Sequence, residues 1–131
     1  NQNAKKLYIY GRDWPTPDGT GIRDYIHVQD LAEGHVAALE FLKNENQKSL
    51  FIILNLGTGK GTSVLNLINI FEKVNNVKVN FQFSERRIGD KAIVYADINK
   101  ALKLINWKPQ KTIEDMCKDG WKWNLKNISQ N

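Results

Sequence analysis

Residues 51–71 read FIILNLGTGKGTSVLNLINIF, an apolar run that passes through three glycines into a helical pattern. A glycine-rich turn between a strand and a helix offers bare backbone N–H groups and a positive helix end, which the pyrophosphate of a dinucleotide requires. The spacing is G-x-G-x-G at Gly57, Gly59 and Gly61, whereas the dinucleotide fingerprint has its third glycine one place later, where this chain has Thr62. The residues leave two alternatives open: a cofactor loop, or glycines that only permit a tight turn.

The pattern on both sides of the glycines predicts a strand, a helix and a second strand. Apolar, β-branched residues at 50–54 predict a strand buried on both faces. Thr62 or Ser63 is placed to cap the helix that follows, and the alternation at 77–83 predicts a half-exposed strand. Together they would form a βαβ unit, with Glu85 placed where an acid takes the ribose hydroxyls of a dinucleotide.

The rest of the sequence predicts further short strands and three further helices. A helix of about four turns begins at Val28, and Asp97 is placed to cap a shorter one. Thr112 and Asp115 resemble a capping box at the start of a final helix. Further extended segments are predicted at residues 6–10, 22–27 and 92–96. The chain is therefore expected to be an α/β protein with short strands and about four helices.

The composition is that of one ordinary globular domain spanning residues 1–131. The sequence is 41% apolar and 25% charged, and no apolar run approaches the roughly 20 residues that a membrane helix needs. Cys117 is the only cysteine of the sequence, so no internal disulfide can form, which suits a reducing compartment. We expect a cytoplasmic protein with no membrane partner.

The charge pattern and the few metal-ligating residues argue against two other classes of function. The formal net charge is +5, but the lysines alternate with acids along the chain. This pattern predicts no nucleic-acid partner and a surface that favours anionic ligands. One cysteine and two histidines give no spacing typical of a metal site.

Two charged segments are candidates for binding an anion. Arg23, Asp24 and Tyr25, with His27 nearby, could hold an anionic substrate, or the first two could form a structural salt bridge. The loop SERRIGDK, residues 84–91, carries two arginines for phosphate and an aspartate for sugar hydroxyls, with a solvated surface loop as the alternative.

Four motifs in succession are recognisable as a set. They are IYGRDWPTPDGTGIRDYIHVQDLAEGHVAAL from Ile9, NLGTGKGTSVL from Asn55, RRIGDKAIVYAD from Arg86 and NWKPQKTIEDMCKDGWKW from Asn106. The chain thereby resembles the C-terminal part of the UDP-glucose 4-epimerases (UDP-galactose 4-epimerases), which belong to the extended short-chain dehydrogenase/reductase family. The segment PTPDGTGIRDYIHVQDLAEGH is specific for these epimerases, whereas the other motifs alone indicate any nucleotide-sugar enzyme of the superfamily.

The resemblance implies part of an NAD(P)-binding Rossmann-like fold and one half of an enzyme of galactose metabolism. In the family, hydride passes from C4 of the hexose to NAD and returns to the opposite face, and a tyrosine in a Y-x-x-x-K motif is the base. This sequence has neither that motif nor the N-terminal glycine fingerprint. We therefore expect no catalytic, cofactor-binding or metal-binding residue here, and expect NAD to be bound by an absent N-terminal domain. The isolated chain would be inactive.

The resemblance also assigns substrate-binding residues, each at a position that matches a family motif. Arg23 and Arg87 match the arginines that hold the diphosphate of a UDP-hexose, and Asp90 matches the acid that takes the ribose hydroxyls. Val64 matches the residue that lines the uracil pocket, with Tyr25 close by. The family implies a homodimer for the whole enzyme, and we expect the isolated chain to be marginally stable or to self-associate because apolar surface is uncovered.

Val94 differs from one version of the family. Enzymes confined to UDP-glucose and UDP-galactose tend to carry a bulky tyrosine at this position, four residues after Asp90, and those that accept N-acetylated sugars carry a smaller residue. The resemblance thus predicts that the complete enzyme also accepts UDP-N-acetylglucosamine. It also assigns the three glycines to the substrate side, as the turn that brings Val64 to the uracil.

Two alternatives to the epimerase remain. One is a non-catalytic UDP-sugar-binding or interaction module that works only with a partner half. The other is a related nucleotide-sugar dehydratase or decarboxylase, which the segment PTPDGTGIRDYIH disfavours.

Overall fold

The structure, a computed structural model, describes residues 6–44 and 51–128, in which five short strands and four helices occur. The strands are β1 (Leu7–Tyr10), β2 (Ile22–Arg23), β3 (Thr62–Ser63), β4 (Phe81–Ser84) and β5 (Ile93–Val94). The helices are α1 (Val28–Asn44), α2 (Val64–Asn75), α3 (Asn99–Ile105) and α4 (Ile113–Ile128). The prediction of an α/β protein with short strands and about four helices is confirmed.

The strands pair in two small sheets. β1 and β4 are parallel, with Leu7 opposite Phe81. In the second sheet β2 lies between antiparallel β3 and parallel β5, so that Arg23 is opposite Thr62 on one side and Val94 on the other. The second sheet thereby brings three segments that are distant in the sequence to one place.

The helices pack in two pairs. α2 lies against α4, where the rings of Phe71 and Trp121 meet edge to face with centroids 5.6 Å apart. α1 lies against α3, and a buried cluster of Ala101, Ile105 and Trp107 fills the space between them. Both contacts bury the apolar stripes of amphipathic helices, which is the main source of helix stability in a protein.

Asp30 joins α1 to the loop before α4. This residue is 1% exposed, and its two carboxylate oxygens accept hydrogen bonds from the backbone N–H groups of Gln110 and Lys111, each at 3.0 Å. Its backbone carbonyl accepts a hydrogen bond from the Trp107 indole at 3.2 Å. Such a buried carboxylate is tolerated because backbone donors satisfy both of its oxygens.

The helix caps agree largely with the sequence. Ser63 caps α2, with its hydroxyl 3.2 Å from the N–H of the third helical residue. Thr112 and Asp115 form the predicted capping box, with N–H to side-chain distances of 2.9 and 3.1 Å. The cap position of α3 is Ile98 rather than Asp97, although the Asp97 carboxylate accepts from the first helical N–H at 2.9 Å.

The prediction of a strand buried on both faces before the glycines is wrong. Residues 51–56 form no ladder with another described segment, and residue 50 lies outside the described residues. Phe51 and Ile53 are 87% and 67% exposed, whereas Leu54 and Leu56 pack against the cluster between α1 and α3. Only one side of this segment is therefore covered.

The predicted βαβ unit is also absent from the described part of the chain. The strand expected from residue 77 begins at Phe81, because the N–H groups of Val77 and Val79 are bonded to the backbone carbonyl and the carboxylate of Glu72, at 3.2 and 2.8 Å. β4 then pairs with β1 rather than with the segment before the glycines. Glu85 consequently follows a strand that is not the second strand of a dinucleotide-binding unit.

Candidate functional site

Two arginines and one carboxylate meet beside the three-stranded sheet. Arg23, at the end of β2, has its Nη2 3.8 Å from Asp90 Oδ1, and Arg87 has its Nε 3.0 Å from Asp90 Oδ2. The three side chains are partly exposed, so a ligand from solvent can reach them. Two guanidiniums and one carboxylate give the cluster a net charge of +1, which suits an anionic ligand.

Arg87 is held in place from a second direction. Its guanidinium carbon lies 4.6 Å from the centre of the Tyr10 ring, a cation–π arrangement at the end of β1. The backbone carbonyl of Arg87 accepts from the N–H of Asp90 at 3.2 Å, which closes a turn. The loop therefore presents Arg87 and Asp90 as one unit on the surface.

The other arginine of this loop does not join the cluster. Arg86 donates through Nε to Asp13 Oδ1 at 2.8 Å and through Nη2 to the backbone carbonyl of Asp13. Its guanidinium carbon lies 4.0 Å from the centre of the Trp14 ring. The hypothesis that both loop arginines serve one phosphate site is thus corrected: the second guanidinium comes from Arg23.

Tyr25 is half-buried close to Arg23. Burial raises the pKa of the Tyr25 hydroxyl, and the positive charge of Arg23 offsets this only in part. The hydroxyl therefore stays protonated at neutral pH, where it can both donate and accept a hydrogen bond.

Val94 lies next to Arg23 through strand pairing. The parallel register of β2 and β5 sets the two residues opposite each other. Both line a groove of about 510 Å³, together with Asp24 and residues 54–56 and 95–97. The size of the residue at position 94 therefore affects how much room there is beside the arginine.

Val64 is the first residue of α2 and lies beside the same sheet. Its N–H donates to the carbonyl of Gly21 at 3.1 Å, and the preceding Ser63 is opposite Ile22 in the β2–β3 ladder. The helix start is thus attached to the strand that carries Arg23.

The backbone N–H groups of the glycine turn are bonded to a carboxylate of the same chain. Asp24 accepts from the N–H of Thr58 at 2.9 Å, from the Thr58 hydroxyl, and from the N–H of Gly59 at 3.1 Å. It also accepts from the N–H of Ala96 at 3.2 Å. A phosphate loop needs such N–H groups for its ligand. The tight-turn alternative is therefore favoured.

Two glycines of the turn are required by close approach. A Cβ at Gly57 would lie 2.6 Å from both Asp24 Oδ2 and the Cβ of Ala96, and a Cβ at Gly61 would lie 2.4 Å from Cγ2 of Ile22. The contacted residues are Ile22 in β2, Asp24 directly after β2, and Ala96 just after β5. The glycines thus allow the turn to pack tightly on the sheet.

The alternative of a structural salt bridge between Arg23 and Asp24 is wrong. No ion pair joins these two described residues, because Arg23 reaches Asp90 while Asp24 accepts the backbone N–H groups of the turn. His27 does not join the arginine cluster either. It is buried, with Nδ1 accepting from the N–H of Gln29 at 3.0 Å and Nε2 3.3 Å from Asp119 Oδ2.

A second carboxylate, Asp18, fixes the start of α2. It accepts from the N–H and hydroxyl of Thr20 at 2.9 and 2.7 Å, and from the Ser63 hydroxyl. The hydroxyl of fully buried Thr20 in turn accepts from the N–H of Leu65 at 3.3 Å. Burial raises the pKa of Asp18, but the hydrogen bonds from Ser63 and Thr20 outweigh it, so the pKa lies below its ordinary value.

The sequence assigns no role to Asp18, and for Asp24 it suggests only a place in an anion site or a salt bridge with Arg23. The local signal at Asp18 is an aspartate followed by glycine and threonine, which favours an Asx turn. Among the described residues, no three histidine, cysteine or acidic side chains are grouped as a metal ion would need. Nor is any helix in the described ranges long and apolar enough to span a bilayer.

Comparison with known proteins shows the family of this chain. The model of the family called GDP-mannose 4,6 dehydratase matches residues 1–120. The chain belongs to this family. The chain is similar to the UDP-glucose 4-epimerase of Drosophila melanogaster, with 50% identity over 121 residues, which are 92% of this chain and 34% of that protein.

Solved structures of the family show the same fold. A UDP-glucose 4-epimerase from Stenotrophomonas maltophila with bound NAD and formylated UDP-arabinopyranose has a TM-score of 0.90 and 47% identity, over 96% of this chain and 37% of that one. One from Bifidobacterium longum in complex with NAD+ and UDP has a TM-score of 0.86 and 45% identity, over 95% and 36%. The expected resemblance to the epimerases and their Rossmann-like fold is confirmed. The chain spans about a third of the length of these relatives.

Proposed function

We propose that this chain is the C-terminal, UDP-binding part of an NAD-dependent UDP-glucose/UDP-galactose 4-epimerase of cytoplasmic galactose metabolism. The observation that carries the proposal is the cluster of Arg23, Arg87 and Asp90, which come together from separate parts of the sequence. In the whole protein the chain anchors UDP while C4 of the hexose is oxidised and reduced again. Binding energy spent on the remote nucleotide holds the substrate while the reacting sugar is free to turn.

The arginines hold the diphosphate and the carboxylate holds the ribose. A guanidinium carries five N–H donors in a planar fork. Arg87 uses Nε for Asp90, and Arg23 uses Nη2 for Asp90 and Nη1 for the carbonyl of Ile22 at 2.8 Å, so both arginines keep donors for phosphate oxygens. The Asp90 carboxylate has about four acceptor positions, so it can accept from ribose hydroxyls while it still orients Arg23 and Arg87. The ion pairs thus prepare the site before the ligand arrives.

Val64 and Tyr25 complete the nucleotide side of the site. The apolar side chain of Val64 provides a surface for the uracil at the start of α2. The protonated hydroxyl of Tyr25 offers a hydrogen bond without adding a charge near the diphosphate.

The residues of this chain do not fit NAD. The N–H groups of Thr58 and Gly59, which a dinucleotide would need in a glycine loop, are bonded to Asp24. We therefore assign NAD, which supplies the hydride chemistry when bound, to an N-terminal domain of the longer protein.

That N-terminal domain is also the partner that covers the exposed apolar surface. Exposed apolar side chains lie on the outer side of α1 and on the segment before the glycines, among them Leu39, Leu42, Phe51 and Ile53. Surface of this kind is typical of an interface.

We propose that the whole protein is a homodimer, and that this chain alone self-associates through the uncovered surface. A single monomer species at all concentrations in analytical ultracentrifugation would contradict the self-association.

The groove beside Val94 suggests a broad sugar specificity. Valine leaves more room opposite Arg23 than tyrosine would, so the complete enzyme is proposed to accept UDP-N-acetylglucosamine as well. Assays of the full-length protein with both substrate pairs test this. Turnover of UDP-glucose without turnover of the N-acetylated pair would refute it.

Calorimetric titration of this chain with UDP and with uridine tests the proposed function. UDP should bind measurably and uridine far more weakly, since only UDP has a diphosphate for the two arginines. Equal Kd values for UDP and uridine, or no binding of UDP, would contradict a diphosphate site.

A further inference from the structure

Asp24 connects three segments of the chain through one partly buried carboxylate. Its oxygens accept from the N–H and hydroxyl of Thr58 and from the N–H of Gly59, in the glycine turn. They also accept from the N–H of Ala96, just after β5. The carboxylate itself belongs to the residue after β2. Four donor groups from two other segments therefore converge on it.

Each of the three segments carries residues of the proposed UDP site. Arg23 precedes Asp24 directly, and Tyr25 follows it. Val94 lies two residues before Ala96, and the glycine turn leads into the start of α2 at Val64. The relative positions of these side chains thus depend on how the three segments are held together.

We propose that Asp24 is a positioning residue for UDP, a role that rests on the proposed function. Its carboxylate fixes the distance between the end of β2, the glycine turn and the end of β5, and so sets the site before UDP binds. It acts through its hydrogen bonds to Thr58, Gly59 and Ala96, which hold the segments that carry the binding residues. Groups that bind a substrate well must be held to within a fraction of an ångström by the residues behind them.

The position requires a carboxylate rather than an amide. An ionised aspartate only accepts hydrogen bonds, and here both oxygens face donors. An asparagine would have nearly the same shape but would turn an NH₂ group towards at least one backbone N–H. The substitution therefore separates the segments while it leaves the volume unchanged.

Asp30 provides a matched control. It is also a carboxylate that accepts two backbone N–H groups, those of Gln110 and Lys111. These hydrogen bonds hold the loop before α4, which carries none of the proposed UDP-binding residues. Asp30→Asn should therefore lower stability as Asp24→Asn does, without moving the UDP site.

The experiment is calorimetric titration of the chain with UDP, at a temperature at which circular dichroism shows each variant to be folded. Asp24→Asn should raise the Kd for UDP about tenfold or more, whereas Asp30→Asn should change it by less than about twofold. A Kd for Asp24→Asn within about twofold of the unchanged chain would overturn the proposal.

A pair of variants at Thr58 gives the same test if Asp24→Asn does not fold. Thr58→Ala removes the hydroxyl that donates to Asp24 and should weaken UDP binding, while Thr58→Ser keeps that donor and should bind as the unchanged chain does. Equal affinities for these two variants would overturn the role of Asp24. If the unchanged chain binds no UDP, the proposed function fails instead, and this role fails with it.

Discussion

Replacing Arg87 with alanine tests the arginine cluster at its more exposed arginine. Arg87 Nε lies 3.0 Å from Asp90 Oδ2, and its guanidinium carbon lies 4.6 Å from the Tyr10 ring centre. Truncation removes both contacts and leaves Asp90 with only the more distant Arg23, at 3.8 Å. The cluster then changes from a net charge of +1 to zero, so a diphosphate meets no excess positive charge.

The size of the effect follows from exposure. A hydrogen bond to a charged group contributes about 1.5–3 kcal/mol when well shielded from solvent. The Arg87 side chain is 59% exposed, so solvent screening places the loss at the lower end. We expect about 1–2 kcal/mol, which is about a 5- to 30-fold increase in the Kd for UDP.

The assay is calorimetry with UDP, and the control is Arg86→Ala. Arg86 belongs to the same loop and carries the same charge, but it pairs with Asp13. Arg86→Ala should change the Kd by less than about twofold, because only the long-range charge is lost. Equal weakening by both variants would refute the specific role of Arg87 and would reduce the site to general electrostatic attraction.

Three further predictions concern stability. Gly57→Ala places a Cβ 2.6 Å from Asp24 Oδ2 and should lower the free energy of unfolding in urea by about 1–3 kcal/mol. The control, Gly120→Ala, places a Cβ with no atom within 4 Å and should not lower the free energy of unfolding. Asp30→Asn should lower the free energy of unfolding by about 1–3 kcal/mol, because the buried side chain at position 30 could then no longer accept from both backbone N–H groups. Exposed Glu40→Gln should have no measurable effect. The pKa of Asp18 is lower in the folded chain than in the unfolded chain, where it is about 3.9, so the ionised carboxylate stabilises the fold at higher pH. This stabilisation is lost as the pH falls from the unfolded pKa through the folded pKa. The melting temperature of Asp18→Asn should accordingly fall less between pH 5 and pH 3 than that of the unchanged chain, and parallel pH profiles would contradict this.

The helices and most of their caps could be predicted because their signals are local. The apolar period predicts α1, α2 and α4, and the caps at Ser63 and Thr112 depend on groups within three residues. Strands are different, since a strand exists only where a second segment pairs with it. Residues 51–56 have the composition of a strand but no ladder partner among the described residues. The N–H groups of Val77 and Val79 are bonded to Glu72 in the last turn of α2.

The residues of the candidate site could be predicted in part, from two charged segments of the sequence and from the resemblance to a family. Arg87 and Asp90 are three residues apart, so their pairing is visible in the sequence. The contact of Arg23 with Asp90 spans 67 positions, and that of Asp24 with Ala96 spans 72. No local pattern distinguishes an aspartate that pairs with its neighbouring arginine from one that accepts distant backbone N–H groups, so the role of Asp24 required the structure.

A crystal structure of this chain with UDP would show where the diphosphate binds. We expect the diphosphate between Arg23 and Arg87, the ribose hydroxyls at Asp90, and the N–H groups of Thr58 and Gly59 still bonded to Asp24. A diphosphate bound instead to the N–H groups of Thr58 and Gly59, with the Asp24 carboxylate displaced, would contradict this expectation.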